Sequence, residues 1–264
     1  MTGTLHGQVA IVTGASRGLG AQMARDLARA GAAVTLFARS AAPLAALAHE
    51  INAAGGRALA IAGDVTRRPD VEAAVAQTRA AFGPVSVLVN NAGVDKPYGA
   101  IGVADPDEWW NAQAIHVRGA LLFMSAVIPE MRARRAGRIL NVTSIAATLV
   151  APGVSSYCVA KSTLVRLVEH VHAENTDAGL AVFAFHPGAI FTDMARSTLA
   201  DPEAQKWAQP VIAMLEAVKN QDQTPALQRL GRQAIGLASG RYDALAGRYI
   251  DLDVELDTQL AAVR

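Results

Sequence analysis

Short runs of β-branched and apolar residues alternate with longer stretches of helical period along almost the whole chain, and that alternation leaves few folds open. Strands are expected at 8–12, 33–38, 57–62, 86–89, 138–142 and 181–185, with a short one near 248–250. Helices are expected between them at 18–30, 43–54, 69–82, 107–132, 156–176 and 225–239. Gly31 closes the first helix and Gly55-Gly56 the second. Strict alternation implies a parallel sheet with helices on both faces and right-handed crossovers. The fold class read here is therefore α/β, a doubly wound parallel sheet of Rossmann-like type. The chain has 264 residues and no linker or fixed-period repeat, so a single domain over 1–264 is expected.

One stretch breaks the rhythm. Residues 191–224 carry Pro202, Pro210 and scattered polar side chains, with a helical patch near 211–218. A segment this long outside the sheet pattern usually serves a site, most often as a lid; a packed surface excursion would look the same in sequence.

Composition removes some functions. The formal net charge is +1, with no long basic or acidic block. Nothing points to nucleic acid or to a membrane surface as partner. No run of about 20 apolar residues offers a membrane span, and the start lacks a basic-then-apolar leader. With Cys158 as the only cysteine, no intrachain disulfide can form, which fits a reducing compartment. A cytoplasmic globular protein is the expectation, with no metal site.

Thr13-Gly14-Ala15-Ser16-Arg17-Gly18-Leu19-Gly20 lies between the first strand and the first helix. Glycines there let the backbone approach a pyrophosphate closely, and the helix N-terminus behind them offers free N–H groups and partial positive charge. The spacing differs from Gly-x-Gly-x-x-Gly and lacks the Gly-Lys-Ser/Thr ending of a nucleoside triphosphate loop. Dinucleotide binding is expected; a tight turn with no ligand would use the same glycines. No acid stands between Asp26 and Glu50 to hold a ribose 2′-hydroxyl. The second strand instead ends Phe37-Ala38-Arg39-Ser40. Arg39 with Arg17 can clamp a 2′-phosphate, so NADP is expected over NAD. Arg39 as a solvated helix-entry residue is the other reading.

Tyr157 and Lys161 stand four apart at the start of a helix, on one face. A nearby ammonium favours the phenolate and is expected to lower the phenol toward neutrality, making it an acid/base for a carbonyl or alcohol oxygen. Ser144 follows the fifth strand at the carboxyl end of the sheet, where open α/β sheets bind ligands, and its hydroxyl can hold the substrate oxygen.

In order and spacing, the Thr13–Gly20 loop, Gly63-Asp64-Val65, Asn90-Asn91-Ala92-Gly93, Ser144, Tyr157-x3-Lys161 and Pro187-Gly188 with Thr192 resemble the short-chain dehydrogenase/reductase family over nearly the whole chain. The resemblance implies a seven-stranded sheet ordered 3-2-1-4-5-6-7. It implies that Asp64 and Val65 border the adenine and that Asn91, Ala92 and Gly93 support the adenosine side. Lys161 would hold the nicotinamide ribose, while Pro187, Gly188, Ile190 and Thr192 flank the nicotinamide. Homodimers or homotetramers are implied, through the helices at 107–132 and 156–176. Arg39 stands one place after the acid of NAD-type members. Two departures stand out. His116 occupies the place of an Asn that in the family holds a helix kink and a water relaying protons to the lysine. The tail reads Gly240-Arg241-Tyr242-Asp243 where Val-Asp-Gly-Gly is usual. His116 can keep the relay and add a titration near neutrality, or be a packed residue bonded to backbone.

The expected function is NADPH-linked interconversion of a small-molecule carbonyl and secondary alcohol. Catalysis falls to Ser144, Tyr157 and Lys161, and cofactor binding to Gly14, Ser16, Arg17, Gly18, Leu19, Gly20, Arg39 and the residues just named. A cofactor-binding sensor without turnover, an NAD-linked dehydrogenase, or a related epimerase or dehydratase are the other readings. Pocket candidates are Asp95, Lys96, Tyr98, Ala146, Leu149, Val154, Phe191, Met194 and Trp207, a mainly apolar set with a polar rim.

Overall fold

A computed structural model describes residues 3–251 and 253–263, so the outermost residues of the expected 1–264 domain lie outside it. Seven parallel strands form one sheet: β1 (Val9–Thr13), β2 (Ala33–Ala38), β3 (Arg57–Ala62), β4 (Val87–Asn90), β5 (Gly137–Val142), β6 (Leu180–His186) and β7 (Tyr249–Asp251). Their spatial order is β3-β2-β1-β4-β5-β6-β7, as the family resemblance implied. Between them run α1 (Gly18–Arg29), α2 (Ala41–Ala53) and α3 (Arg68–Phe82), then α4 (Pro106–Gln113), α5 (Gly119–Arg134) and α6 (Ser155–Ala173).

The two faces of the sheet bury alternate residues of each strand, the period of two that the pleat dictates. Ala10, Val12, Leu36, Val89, Phe183 and Phe185 join α1 and the later helix α10 (Thr224–Ser239) in one core. Ile11, Phe37, Leu88, Val182 and Ala184 join α3, α5 and α6 in the other. Phe37 meets Phe123 edge-on, ring centroids 5.1 Å apart, a geometry that adds to the area the rings bury.

The helix expected at 107–132 is not one regular α-helix. A π turn, Ala114–Arg118, divides α4 from α5, and no hydrophobic pattern marks it. The stretch Pro106–Arg134 is also continuous and apolar enough to cross a bilayer by length and composition, against the expectation that no such run exists. Its apolar residues Ala120, Phe123, Met124, Val127 and Met131 pack instead on the sheet. The irregular stretch after β6 holds three short helices, α7 (Asp193–Ala200), α8 (Pro202–Trp207) and α9 (Gln209–Val218). Pro202 and Pro210 sit in the first turns of α8 and α9, where a missing N–H costs nothing, and α9 contains the helical patch expected near 211–218. A last helix, α11 (Leu256–Ala261), follows β7 and was not expected.

Candidate active site

The carboxyl ends of β1 and β4 are tied together by one hydroxyl. Thr13 Oγ1 accepts from the backbone N–H of Asn91 at 3.0 Å and of Ala92 at 3.1 Å. The Asn91 amide donates back to the carbonyls of Thr13 and Gly14. Gly14 turns at φ +65, a region that side chains avoid. A Cβ on Gly20 would stand 2.4 Å from Gly14 O, so glycine there lets α1 pack directly under the loop. α1 begins at Gly18 with no side-chain cap, leaving its first N–H groups open to the space in front.

That space is a cleft of about 530 Å³. Gly14, Ser16, Arg17, Gly18 and Leu19 form its floor, and Arg39, Asp64 and Val65 its far end. Asn91, Ala92, Gly93 and Thr192 close the near side. Gly20 lies beneath the loop, outside the cleft lining. Arg17 and Arg39 are both exposed, and neither has an ion pair among the described residues. Asp64 is committed locally: its Oδ1 accepts from the N–H and the hydroxyl of Thr66, both at 2.8 Å. The open helix end, the close backbone turn and two unpaired guanidinium groups fit a phosphate-rich dinucleotide.

Leu19, Asn91, Gly93, Thr192 and Met194 also border a second chamber of about 320 Å³, so the two spaces adjoin. Ser144, Tyr157 and Lys161 line it together, with Pro187, Gly188 and Ile190 on the β6 side. Lys161 is 4% exposed. Its Nζ donates to the Val142 carbonyl at 2.9 Å, which uses one of three N–H groups. The others suit the hydroxyls of a sugar. Burial alone pushes this ammonium down to about 7. Burial pushes the Tyr157 phenol up to about 12, against a hydrogen bond from Ser144 that pulls it down. The expectation that Lys161 brings the phenol toward neutrality is therefore corrected. The ammonium lies over the ring, 5.3 Å from its centroid, and the loss of water around both groups outweighs their attraction.

His116, on the π turn, is 2% exposed. Its Nε2 lies 2.7 Å from Val94 O and 3.1 Å from Val94 N, donating to the carbonyl in one tautomer and accepting from the N–H in the other; Nδ1 is buried with no partner among the described residues. The ring meets Tyr157 edge-on at 5.5 Å and 83°. A Cβ on Gly93 would come within 2.4 Å of His116 Cε1, so Gly93 makes room for this ring. Burial, helped by the Lys161 charge, pushes the imidazole down to about 3. Burial thus favours the neutral imidazole, which fits the reading of His116 as a packed residue bonded to backbone rather than one that titrates near neutrality. We expect the kcat–pH profiles of wild type and His116→Asn to carry the same ionisations between roughly pH 5 and 8. Loss of one ionisation in the variant would show that His116 titrates there.

Of the pocket candidates, Asp95, Tyr98, Ala146, Leu149, Val154 and Met194 line the chamber. Lys96, Phe191 and Trp207 do not. Lys96 pairs with Asp201 at 2.5 Å, Trp207 Nε1 donates to Glu203 at 3.1 Å, and the Phe191 ring lies under Arg196. Sequence reasoning missed Thr198 on α7 and Val211, Met214 and Leu215 on α9, which complete the wall. It also missed Tyr249, whose hydroxyl donates to the Ser144 carbonyl at 3.3 Å. Helical spacing inside 191–224 was the available signal for the α9 residues; Tyr249 gave none.

The family model described as short chain dehydrogenase matches residues 8–203. Short chain dehydrogenase pigC of Monascus ruber is 32% identical over 264 residues, covering 97% of this chain and 82% of its own length. A short chain dehydrogenase of Pseudocercospora fijiensis is 35% identical over 199 residues, and the match spans 73% of this chain but 62% of that relative. Among solved structures, a gluconate 5-dehydrogenase from Burkholderia cenocepacia, in complex with NADP and tartrate, has a TM-score of 0.82 at 28% identity, with 96% of each chain covered.

Proposed function

The chain belongs to the short-chain dehydrogenase family and is an NAD(P)-dependent oxidoreductase, and from that premise we propose that it reduces a ketone or aldehyde to the alcohol with NADPH. One observation carries the reading: Ser144, Tyr157 and Lys161 line a single chamber that adjoins the glycine-loop cleft. A bound reduced nicotinamide supplies a hydride for the carbonyl carbon. The protein's residues handle the oxygen. Tyr157, held as a neutral phenol by burial, gives its proton to that oxygen as charge develops on it. The hydroxyl of Ser144 donates to the same oxygen and polarises the carbonyl. Lys161 holds the ribose with its free N–H groups and stabilises the phenolate left on Tyr157. The protein acts as a homodimer or homotetramer in this reading. Trp110, Leu121 and Val159, exposed at 69%, 44% and 44% on α4, α5 and α6, supply apolar surface for such an interface. The helices α7–α9 act as the lid.

Oxidation of NADPH by the purified protein, followed by absorbance across a panel of apolar ketones and aldehydes, tests the activity. Turnover of none of them, with intact cofactor binding, would sink it in favour of a sensor. The NADP preference rests on Arg17 and Arg39. Arg39→Asp should lower kcat/KM for NADPH relative to NADH by about 10- to 100-fold, the worth of a charge-assisted bond turned to repulsion. An unchanged ratio would show that Arg39 does not read the 2′ group.

A further inference from the structure

The chamber beside Tyr157 is mostly apolar, with Ala146, Leu149, Val154, Met194, Val211 and Leu215 in its wall. Asp95 is the only carboxylate among its lining residues. Two hydroxyls hold this carboxylate by one oxygen. Tyr98 Oη and Thr198 Oγ1 each donate to Asp95 Oδ2 at 2.7 Å. Both donors are themselves buried, at 7% and 4% exposure. Burial raises the Tyr98 phenol above its ordinary value, so it stays protonated and keeps donating. The other oxygen, Oδ1, accepts no hydrogen bond from the described residues. The nearest lysine in sequence does not neutralise it, because Lys96 is paired with Asp201.

Asp95 is half-buried and its Oδ1 is open to the chamber rather than sealed in the wall, so this acceptor-only group can take a hydrogen bond from a donor that enters. Here the fold has fixed its orientation from two elements, the segment after β4 and helix α7, and left one oxygen unused. We propose that Asp95 is a specificity residue, and that the substrate is an apolar carbonyl compound bearing a hydrogen-bond donor, hydroxyl or ammonium, remote from the reacting carbonyl and bound by Asp95 Oδ1. Tyr98 and Thr198 are positioning residues for that carboxylate. This inference rests on the carbonyl-reductase reading and adds to it a class of substrate.

The test uses three ketones of one carbon skeleton, carrying a hydroxyl, an amino or a methyl group at the position away from the carbonyl. Wild type should favour at least one donor-bearing ketone over the methyl isostere by about 10- to 100-fold in kcat/KM, as expected for a hydrogen bond to a charged group. The hydroxyl and ammonium arms identify which donor. Asp95→Ala should reduce that preference to near unity, read as the ratio of kcat/KM for the donor-bearing and methyl ketones within the one variant, so that any change in overall rate cancels. Asp95→Asn, of the same shape, guards against misfolding: it should keep the melting temperature and lose most of any ammonium preference. Direct binding of the three corresponding alcohols to the Tyr157→Phe protein loaded with NADP+ measures the same ratio without turnover. No donor preference in wild-type binding, or a preference that survives in Asp95→Ala, overturns the proposal. Donor-selective binding without turnover of any ketone would overturn the reductase reading alone.

Discussion

Tyr157→Phe is expected to lower kcat by about 10²- to 10⁴-fold, the usual worth of a positioned proton donor, while the Kd for NADPH stays within a few-fold of wild type. The substitution removes one oxygen. The ring that packs edge-on against His116 and beneath the Lys161 ammonium is retained, so the chamber keeps its shape. What goes is the proton that burial holds on the phenol up to about 12, and with it the acceptor of the Ser144 hydrogen bond. Single-turnover kinetics with excess enzyme would separate chemistry from release, and fluorescence titration would report cofactor affinity. A variant with near-normal kcat would mean that another group donates the proton.

Lys161→Met is expected to act on three quantities at once. Cofactor affinity and kcat should both fall, each by about tenfold or more, because the ammonium serves ribose and phenolate together. In wild type, affinity should be level below pH 7 and decline above it. Binding wants the charged amine, and burial has lowered its value to about 7 in the free protein, so binding at higher pH must take up a proton. The variant should lose that slope. Stability should move the other way. An unfolded lysine titrates near about 10.4, so between about 7 and 10.4 the unfolded chain binds more protons and stability rises with pH. Below 7 the full penalty of a buried charge is present. Lys161→Met should therefore melt above wild type at pH 6, with the gap closing as pH rises. A variant less stable than wild type at pH 6 would show that the bond to Val142 outweighs the burial cost.

The strands, the phosphate loop and the Tyr157–Lys161 pair were legible because each depends on local pattern: apolar runs alternating with helical period, glycines at a strand end, and a lysine four residues beyond a tyrosine; the order of the strands came with the family resemblance. What escaped was set by tertiary contact. The Asp95–Thr198 bond joins residues 103 apart, and nothing near either residue announces it. The low value of His116 comes from a packed environment that also includes Lys161, so its type suggested a titration that its burial removes. The prolines of 191–224 are ambiguous in sequence for a simpler reason. Proline interrupts a helix and also starts one, and only the structure shows that Pro202 and Pro210 do the second. Lys96, Phe191 and Trp207 were taken toward the pocket by position, and local partners turn each of them elsewhere.

The π turn at Ala114–Arg118 has a bearing on chain length. A π turn carries one residue more than an α turn, so it takes up that residue locally and keeps the helix on either side in phase. Upstream, that phase lets Gln113 donate to the Ser156 carbonyl, and within the turn it brings His116 against Val94 and Tyr157. Downstream, it sets Phe123, Met124, Val127 and Met131 on the sheet. Deleting one residue between 114 and 118 would close the turn to α geometry with both flanks in place, whereas a deletion in the regular stretches on either side would rotate one flank against the other by about 100°. What such a closure would lose is the placing of His116 itself against Val94 and Tyr157, so within the 29 residues from Pro106 to Arg134 the extra residue serves the site rather than the sheet.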